Sequence, residues 1–253
     1  MTSVSIITAV KDSALTVRDC IESVKNQRFE PEHILVDGGS ADCTLDVVRE
    51  SGSGIAKVVS EPDRGVYDAL NKGIALATGE VIGILHADDT FADHGVLSRV
   101  AMVFEDEDVD SCYGDLVYVD REDNSRIVRR WRSGPYDVRK FYWGWMPPHP
   151  AFFVRRKIYE RHGLYNLSFG TAADYELMLR FLVRHRIHSV YIPAILVRMR
   201  TGGLSNISLM NRLRANRMDR KAWRENGLKP FPFTHFLKPI SKVGQYMITG
   251  SGR

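Results

Sequence analysis

The chain opens with short apolar runs, each followed by a stretch in which apolar residues recur every three or four positions. Residues 4–10 (VSIITAV) read as a strand covered on both faces. Residues 14–27 then put Leu15, Cys20, Ile21 and Val24 on one side of a helix. A second strand is predicted at 33–36, a short helix at 43–51 with Ser40 or Asp42 as cap, and a third strand at 55–60. Over 66–79, Val66, Leu70, Ile74 and Ala77 keep helical spacing and Gly79 supplies the stop. A fourth strand is expected at 80–85 and a helix at 93–105.

Strands alternating with helices at this spacing predict an α/β fold, a largely parallel sheet flanked by helices. Ligands of such sheets bind outside the carboxyl ends of the strands. Three polar clusters fall there: Thr8-Ala9 with Lys11-Asp12, residues 37–40 (Asp-Gly-Gly-Ser), and residues 86–89 (His-Ala-Asp-Asp). They are far apart in sequence, and the topology brings them together.

The pattern changes after residue 110. Residues 111–120 and 125–133 flank 121–124 as an antiparallel hairpin. Residues 141–156 are crowded with aromatics and prolines, and Trp143, Trp145 and Phe152 are read as core, with stacking on a sugar face as the alternative. Residues 172–185 are helical, and 189–200 form an extended segment that Pro193 is expected to break. With no repeat or break in composition before about residue 205, the reading is one domain over 1–208, its donor side about 1–110 and its acceptor side about 111–208. A basic extension over 209–253 follows.

Composition narrows the class. At 253 residues with 44% hydrophobic and 26% charged residues, a soluble globular protein is expected. No apolar run approaches a membrane span, and no signal peptide is seen. Cys20, Cys43 and Cys112 have neither disulfide nor zinc spacing, which favours a reducing cytoplasm. The net charge of +4 is uneven: residues 209–253 carry ten Lys or Arg against Asp219 and Glu225. That tail suits either a solvated helix or an anionic membrane surface. No nucleic-acid partner is expected.

Two adjacent carboxylates, Asp88 and Asp89, end a core strand. This suits Mg2+ or Mn2+, which one or two carboxylates hold together with substrate phosphates. Neither a P-loop nor a dinucleotide fingerprint is present. The segments SIITAVKD, ILVDGGSADCTLDVV, EPDRGVYDALNKGIALATGEVIGILHADD and ADYEL, in that order, resemble the family 2 glycosyltransferases of GT-A fold, over about residues 3–200. DRGVYDALNKGI…GILHADD is the most specific part of this resemblance.

The resemblance implies a Rossmann-like sheet with a small antiparallel acceptor-side part. It also implies inverting transfer from a nucleoside-diphosphate sugar, of the UDP type, to a sugar or lipid-linked acceptor in bacterial surface polysaccharide or glycolipid assembly. The protein would then be cytoplasmic, or peripheral at the inner membrane face. Thr8 and Ala9 would lie at the base, Asp37 at base or ribose, and Asp63 and Arg64 beside the nucleotide. Asp88 would face the ribose, Asp89 would ligate the metal and Asp174 would be the general base. His149 is open to three readings: acceptor or leaving-group contact, metal ligand, or a packed histidine. Arg129, Arg130 and Arg132 either meet an acceptor phosphate or lie on a solvated strand. The chain departs from the family pattern at Val10, where an aromatic is common, and at His86, where an acid is common. It lacks the Gln-x-x-Arg-Trp signature of processive synthases, which favours transfer of one sugar. The alternatives are a nucleotidyltransferase making nucleotide-sugars and a catalytically silent nucleotide-binding module.

Overall fold

The computed structural model describes residues 2–51, 54–202, 209–231 and 234, with the backbone alone over 209–216. Its first half alternates as the apolar pattern predicts: β1 (Val4–Val10), α1 (Val17–Lys25), β2 (Glu32–Asp37), α2 (Thr44–Ser51), β3 (Lys57–Ser60), α3 (Val66–Leu76) and β4 (Val81–Ile84). Then come β5 (Thr90–Phe91), α4 (Val96–Val103), the hairpin β6 (Ser111–Val119) and β7 (Ile127–Trp131), and the one-turn α5 (Arg139–Tyr142). The last elements are β8 (Phe152–Arg155), α6 (Arg156–His162), α7 (Ala173–Met178), β9 (Ser189–Arg200) and α8 (Leu209–Glu225).

Among the described residues one sheet of nine strands forms, in the order β3-β2-β1-β4-β8-β6-β9-β5, with β7 added on β6. β1 is parallel to β2 and β4, and β2 to β3. β8 runs antiparallel to both β4 and β6, while β9 is parallel to β6. This order decides what reaches the carboxyl edge of β1. The chain just before β8 arrives there because β8 runs backwards, and the end of β9 arrives there because β9 runs forwards.

Two apolar layers cover the sheet. One gathers Ile7, Ile34, Leu70 and Ile74 with Phe141, Phe169 and Trp223. The other holds Ile6, Cys20, Val24, Leu97 and Phe153. α3 lies close on β1 because Gly73 has no side chain; a Cβ there would collide with Ile7.

Four expectations are corrected. Leu15 is 93% exposed, since α1 starts two residues later and Val17 takes the inner position. Val66 is exposed because it is the first residue of α3, before the helix has turned inward. Pro193 does not break its segment. β9 is continuous, and its register against β6 jumps from Tyr113↔Tyr191 to Asp115↔Ile195, so the proline rides in a bulge where no ladder donor is needed. Trp143 is exposed: in the single turn of α5 Phe141 takes the core side, whereas Trp145 and Phe152 pack inward.

Candidate active site

The loops after β1 and β2 are tied together. Gly38 N–H donates to the Val10 carbonyl at 2.9 Å, Lys11 Nζ to the Gly38 carbonyl at 3.1 Å, and Ala41 N–H to Asp12 Oδ1 at 2.8 Å. Asp37 organises this turn. Its buried carboxylate accepts from the N–H groups of Gly39 and Ser40 and from the Ser40 and Ser60 hydroxyls, the last at 2.7 Å. Burial pushes its pKa up, but these donors outweigh burial and hold it below the usual carboxylate range. Asp63 closes the other side. It accepts from Gly65 N–H at 2.8 Å and packs where a Cβ on Gly38 would stand.

Arg64 projects into solvent and pairs with Asp68 at 2.9 Å, not with Asp63. Lys72, for which Asp68 one turn earlier is a natural partner, instead reaches Glu61 at 2.8 Å and the Pro62 carbonyl at 3.0 Å. Thr8 requires a correction. Strand alternation turns its side chain toward α1, where the hydroxyl meets His33 Nε2 at 3.0 Å and Cys20 Sγ at 3.8 Å, fully buried. That side chain does not line a cleft. Ala9 points to the opposite face and packs with the α3 layer.

β4 stands beside β1, and Leu85 N–H continues the pairing to the Ile7 carbonyl at 3.1 Å. The acids that follow therefore emerge next to the 11–12 and 37–40 loops. Asp88 is partly exposed, whereas Asp89 is 1% exposed. Asp89 Oδ1 accepts the Arg200 backbone N–H at 3.2 Å, and Oδ2 is buried with no hydrogen-bond partner among the described residues. Burial first, then the charge of Asp88, pushes the Asp89 pKa well up, with Arg200 only partly opposing. A buried carboxylate oxygen without a partner suits a cation as its counter-charge.

The reversed course of β8 delivers His149 to this edge. Its ring lies 5.8 Å from that of His86, and its Nε2 is 2.6 Å from the Tyr165 hydroxyl. His149 is 7% exposed, and burial, followed by the nearby His86, lowers its pKa to about 3. Of the three readings open for it, this is the packed one: a neutral histidine behind His86, its Nε2 already engaged. His86 is held below its usual value by burial, which the charges of Asp88 and Asp174 oppose. Asp174 sits in the first turn of α7, accepts the Tyr175 N–H at 2.7 Å and shares a hydrogen bond with Tyr67. Burial, then the Asp174 charge, pushes the Tyr67 phenol up. Tyr67 and Tyr165 are ring neighbours at 5.2 Å.

Asp88, Asp89 and Asp174 thus surround one corner of the carboxyl edge, linked through His86. The 37–40 loop and Asp63 form the adjoining corner. The side chains of Thr8 and Arg64 stand outside both. Tyr67, Tyr165 and Arg200 belong to the site without having been singled out from sequence. Tyr67 carried a signal, lying in the GVYDALNKG block, whereas Arg200 and Tyr165 carried none. Arg200 anchors its guanidinium on Asp19 of α1. Arg129 lies over the Tyr118 ring at 4.6 Å, on the hairpin.

A divalent cation fits here. The unmatched Asp89 Oδ2 and the adjacent Asp88 supply hard oxygen ligands, and no cluster of three metal-binding side chains occurs among the described residues. Such a donor set matches an ion that completes its shell with phosphate oxygens and water.

The profile described as "Glycosyl transferase family 2" matches residues 5–163. A PGL/p-HBAD biosynthesis glycosyltransferase of Mycobacterium bovis (strain BCG / Pasteur 1173P2) is 33% identical over 208 residues, 80% of this chain and 78% of the relative. Two solved structures share the fold. S. aureus TarS 1–349 in complex with UDP-GlcNAc has a TM-score of 0.68 at 14% identity, covering 97% of this chain and 78% of that one. The mannosyltransferase PcManGT of Pyrobaculum calidifontis, in complex with GDP-Man and Mn2+, has a TM-score of 0.64 at 18% identity, covering 95% and 69%. The match to TarS itself spans 40% of that longer protein.

Proposed function

The chain belongs to glycosyl transferase family 2, and from that membership we propose that it moves a single sugar from a nucleoside-diphosphate sugar to an acceptor hydroxyl with inversion. The observation that carries this reading is the buried, unmatched Asp89 oxygen beside Asp88 at the carboxyl edge, with Asp174 across the same corner. The donor would lie along that edge. The 37–40 loop and Asp63 would receive its nucleoside, with Asp37 acting chiefly through the loop it shapes and Ala9, its side chain packed inward, offering only its backbone. Asp88 would face the ribose.

In the reaction the acceptor oxygen bonds to the anomeric carbon while the bond from that carbon to the diphosphate oxygen breaks. Attack from the face opposite the leaving group inverts the centre. Asp174 takes the acceptor proton, and the bond pair leaves with the diphosphate. Its place at the positive end of α7 keeps this carboxylate ready to accept, and Tyr67 fixes its orientation. A Mn2+ or Mg2+ held by Asp89, with Asp88 alongside, would neutralise charge on the departing diphosphate. His86 lies between the acids, and Tyr165 keeps His149 fixed behind it.

A nucleoside-diphosphate sugar as donor is supported by the fold shared with both the UDP-GlcNAc and the GDP-Man complexes, the UDP type being carried by the family resemblance, and glycolipid or surface polysaccharide assembly is supported by the name of the mycobacterial relative. Membership of this family decides against a nucleotide-sugar-forming nucleotidyltransferase. No described helix is long and apolar enough to cross a membrane. The donor side over about 1–110 and the acceptor side over about 111–208 form the proposed division of labour. The test is a screen of nucleotide-sugars for Mn2+-dependent release of nucleoside diphosphate. Turnover of at least one sugar by the wild type and loss in Asp174→Asn is the expected result; release that is equal in both chains removes the base from the proposal.

A further inference from the structure

α8 has two unlike faces. Ala222, Trp223 and Asn226 are buried against the body of the protein, with Trp223 Nε1 donating to the Tyr175 hydroxyl at 2.8 Å. On the outer face Arg217, Arg220 and Arg224 follow one another at spacings of three and four. All three are exposed and have no ion-pair partner among the described residues. Some surface arginines elsewhere are balanced by acids, such as Arg18 with Glu50 or Arg156 with Glu160, but those that are not do not follow one another along one helix face as these three do. This stripe is left unneutralised.

The stripe ends at an aromatic corner. After α8 the chain turns back at Gly227 (φ 68°), and Thr234 Oγ1 bonds the Tyr142 carbonyl at 2.6 Å. Phe231 is thereby laid on Tyr142 at 5.0 Å and Trp143 at 6.2 Å. Trp143 is 58% exposed and Phe231 51% exposed, although both are large and apolar. From Asn226 to the last residue the sequence has Lys229, Lys238, Lys242 and Arg253 and no acid, interleaved with Phe233, Phe236, Ile240 and Tyr246. Aromatic side chains at the surface beside unpaired basic ones match the headgroup layer of an anionic bilayer, which takes rings at its boundary and cations at its surface. A protein partner would be expected to offer acids to the arginines but has no need of the uninterrupted basic and aromatic run that follows.

We propose that the outer face of α8, together with the Trp143–Phe231 pair, docks this protein on an anionic lipid bilayer. The surface lies one layer behind the candidate base: Trp223 is bonded to Tyr175, the neighbour of Asp174. The inference stands on α8 and the aromatic corner and does not depend on the sugar-transfer reading, although it supplies that reading with an acceptor source.

The test is co-sedimentation of the full chain with vesicles of phosphatidylcholine alone and of phosphatidylcholine with phosphatidylglycerol. Binding is expected only to the anionic vesicles, and it should weaken as salt is raised. Reversing the stripe (R217E/R220E/R224E) should lower partitioning on the order of a hundredfold, from about fivefold or more per arginine. Trp143→Ala with Phe231→Ala should lower it about tenfold. Each variant is to keep the wild-type melting temperature and the wild-type thermal shift with UDP and Mn2+, which separates docking from folding and from donor binding. Equal binding to neutral and anionic vesicles overturns the proposal. So does undiminished binding of the stripe variant, which would move the contact to residues 235–253. Light scattering that finds a dimer dissolved by the aromatic variant would assign the corner to a second copy of the chain and would also overturn it.

Discussion

Arg200 donates its backbone N–H to Asp89 Oδ1 at 3.2 Å, joining the end of β9 to the acid that follows β4. The bond engages one carboxylate oxygen and leaves the other buried with no partner among the described residues. Arg200 is itself held by Asp19 on α1, so three elements far apart in sequence set the direction of one oxygen. The arrangement costs stability in the protein alone and favours whatever cation arrives with the substrate.

Asp89→Asn should therefore have opposite effects on stability and function. Its raised pKa means that the folded state resists ionising Asp89, so the contribution of this one group to stability is greatest at low pH and is lost as pH rises toward neutrality. The amide removes that cost, and the melting temperature without ligand should stay level or rise. The thermal shift given by UDP with Mn2+ should disappear, and Mn2+-dependent turnover should fall by on the order of 10²-fold or more. A variant that keeps both the shift and the rate would show that Asp89 holds no cation.

Asp174→Asn separates chemistry from binding. The amide keeps the size of the side chain and can still bond Tyr67, but it cannot accept the acceptor proton. kcat should fall roughly 10²–10⁴-fold. KM for the donor and the thermal shift with UDP should stay near wild type, because the proposed reaction puts Asp174 on the acceptor side of the reacting carbon, away from the diphosphate. Steady-state kinetics on a donor identified by the screen decide the matter. A loss confined to KM would reassign Asp174 to donor binding.

Much of this layout was legible in the chain because the relevant signals are local. β1 is covered on both faces, so it reads as an apolar run, and Asp88-Asp89 stand out because carboxylates rarely follow such a run without a use. The four residues of β8 could not be read the same way. They are framed by Pro147, Pro148 and several aromatics, and what makes them a strand is pairing with β4 and β6, which the local sequence does not encode. Pro193 signalled a break but was absorbed by a bulge, because β6 alone decides where β9 may skip a bond. Thr8 was misplaced by side and not by position: one residue along a strand exchanges the interior of α1 for the interior of α3. Tyr165 and Arg200 matter only through partners across the fold, so no local pattern announced them.

The Tyr165 hydroxyl gives a stability prediction. It meets His149 Nε2 at 2.6 Å, inside the protein, while the Tyr165 backbone is clamped by Asn71 through bonds of 3.0 and 2.9 Å. Tyr165→Phe keeps the ring and the clamp but leaves a buried imidazole nitrogen unmatched, at about 1–3 kcal/mol, and also removes the hydroxyl's bond with Tyr159. The melting temperature should fall by several degrees. His149→Phe in the same background should restore part of the loss, since both ends of the bond are then apolar. An unchanged melting temperature in the single variant would mean that water replaces the hydroxyl.

Acid should weaken the fold through its buried histidines before its carboxylates titrate. Burial holds His33 at about 4 and His149 at about 3, and lowers His86 as well. A histidine depressed in the folded state binds its proton more readily unfolded, so stability is full above about 6.5, the unfolded value, and is lost as pH falls toward the folded one. At pH 5 each of the first two has lost about 1.5 units of its advantage, or about 2 kcal/mol at 1.36 kcal/mol per unit. Asp37, Asp68 and Glu32, by contrast, are held below the usual carboxylate range, so the stability they contribute persists at pH 5 and is lost only under stronger acid. Asp89, whose pKa is raised by burial, opposes this loss over the same range, so the comparison is made in the Asp89→Asn background, where urea unfolding at pH 7.5 and pH 5 should differ by a few kcal/mol that belong to the histidines. His33→Gln, which can still bond the Thr8 hydroxyl, should remove roughly half of that difference. If its unfolding keeps the full pH dependence of the Asp89→Asn background, His33 is not held neutral beneath the sheet and the loss at pH 5 has another source.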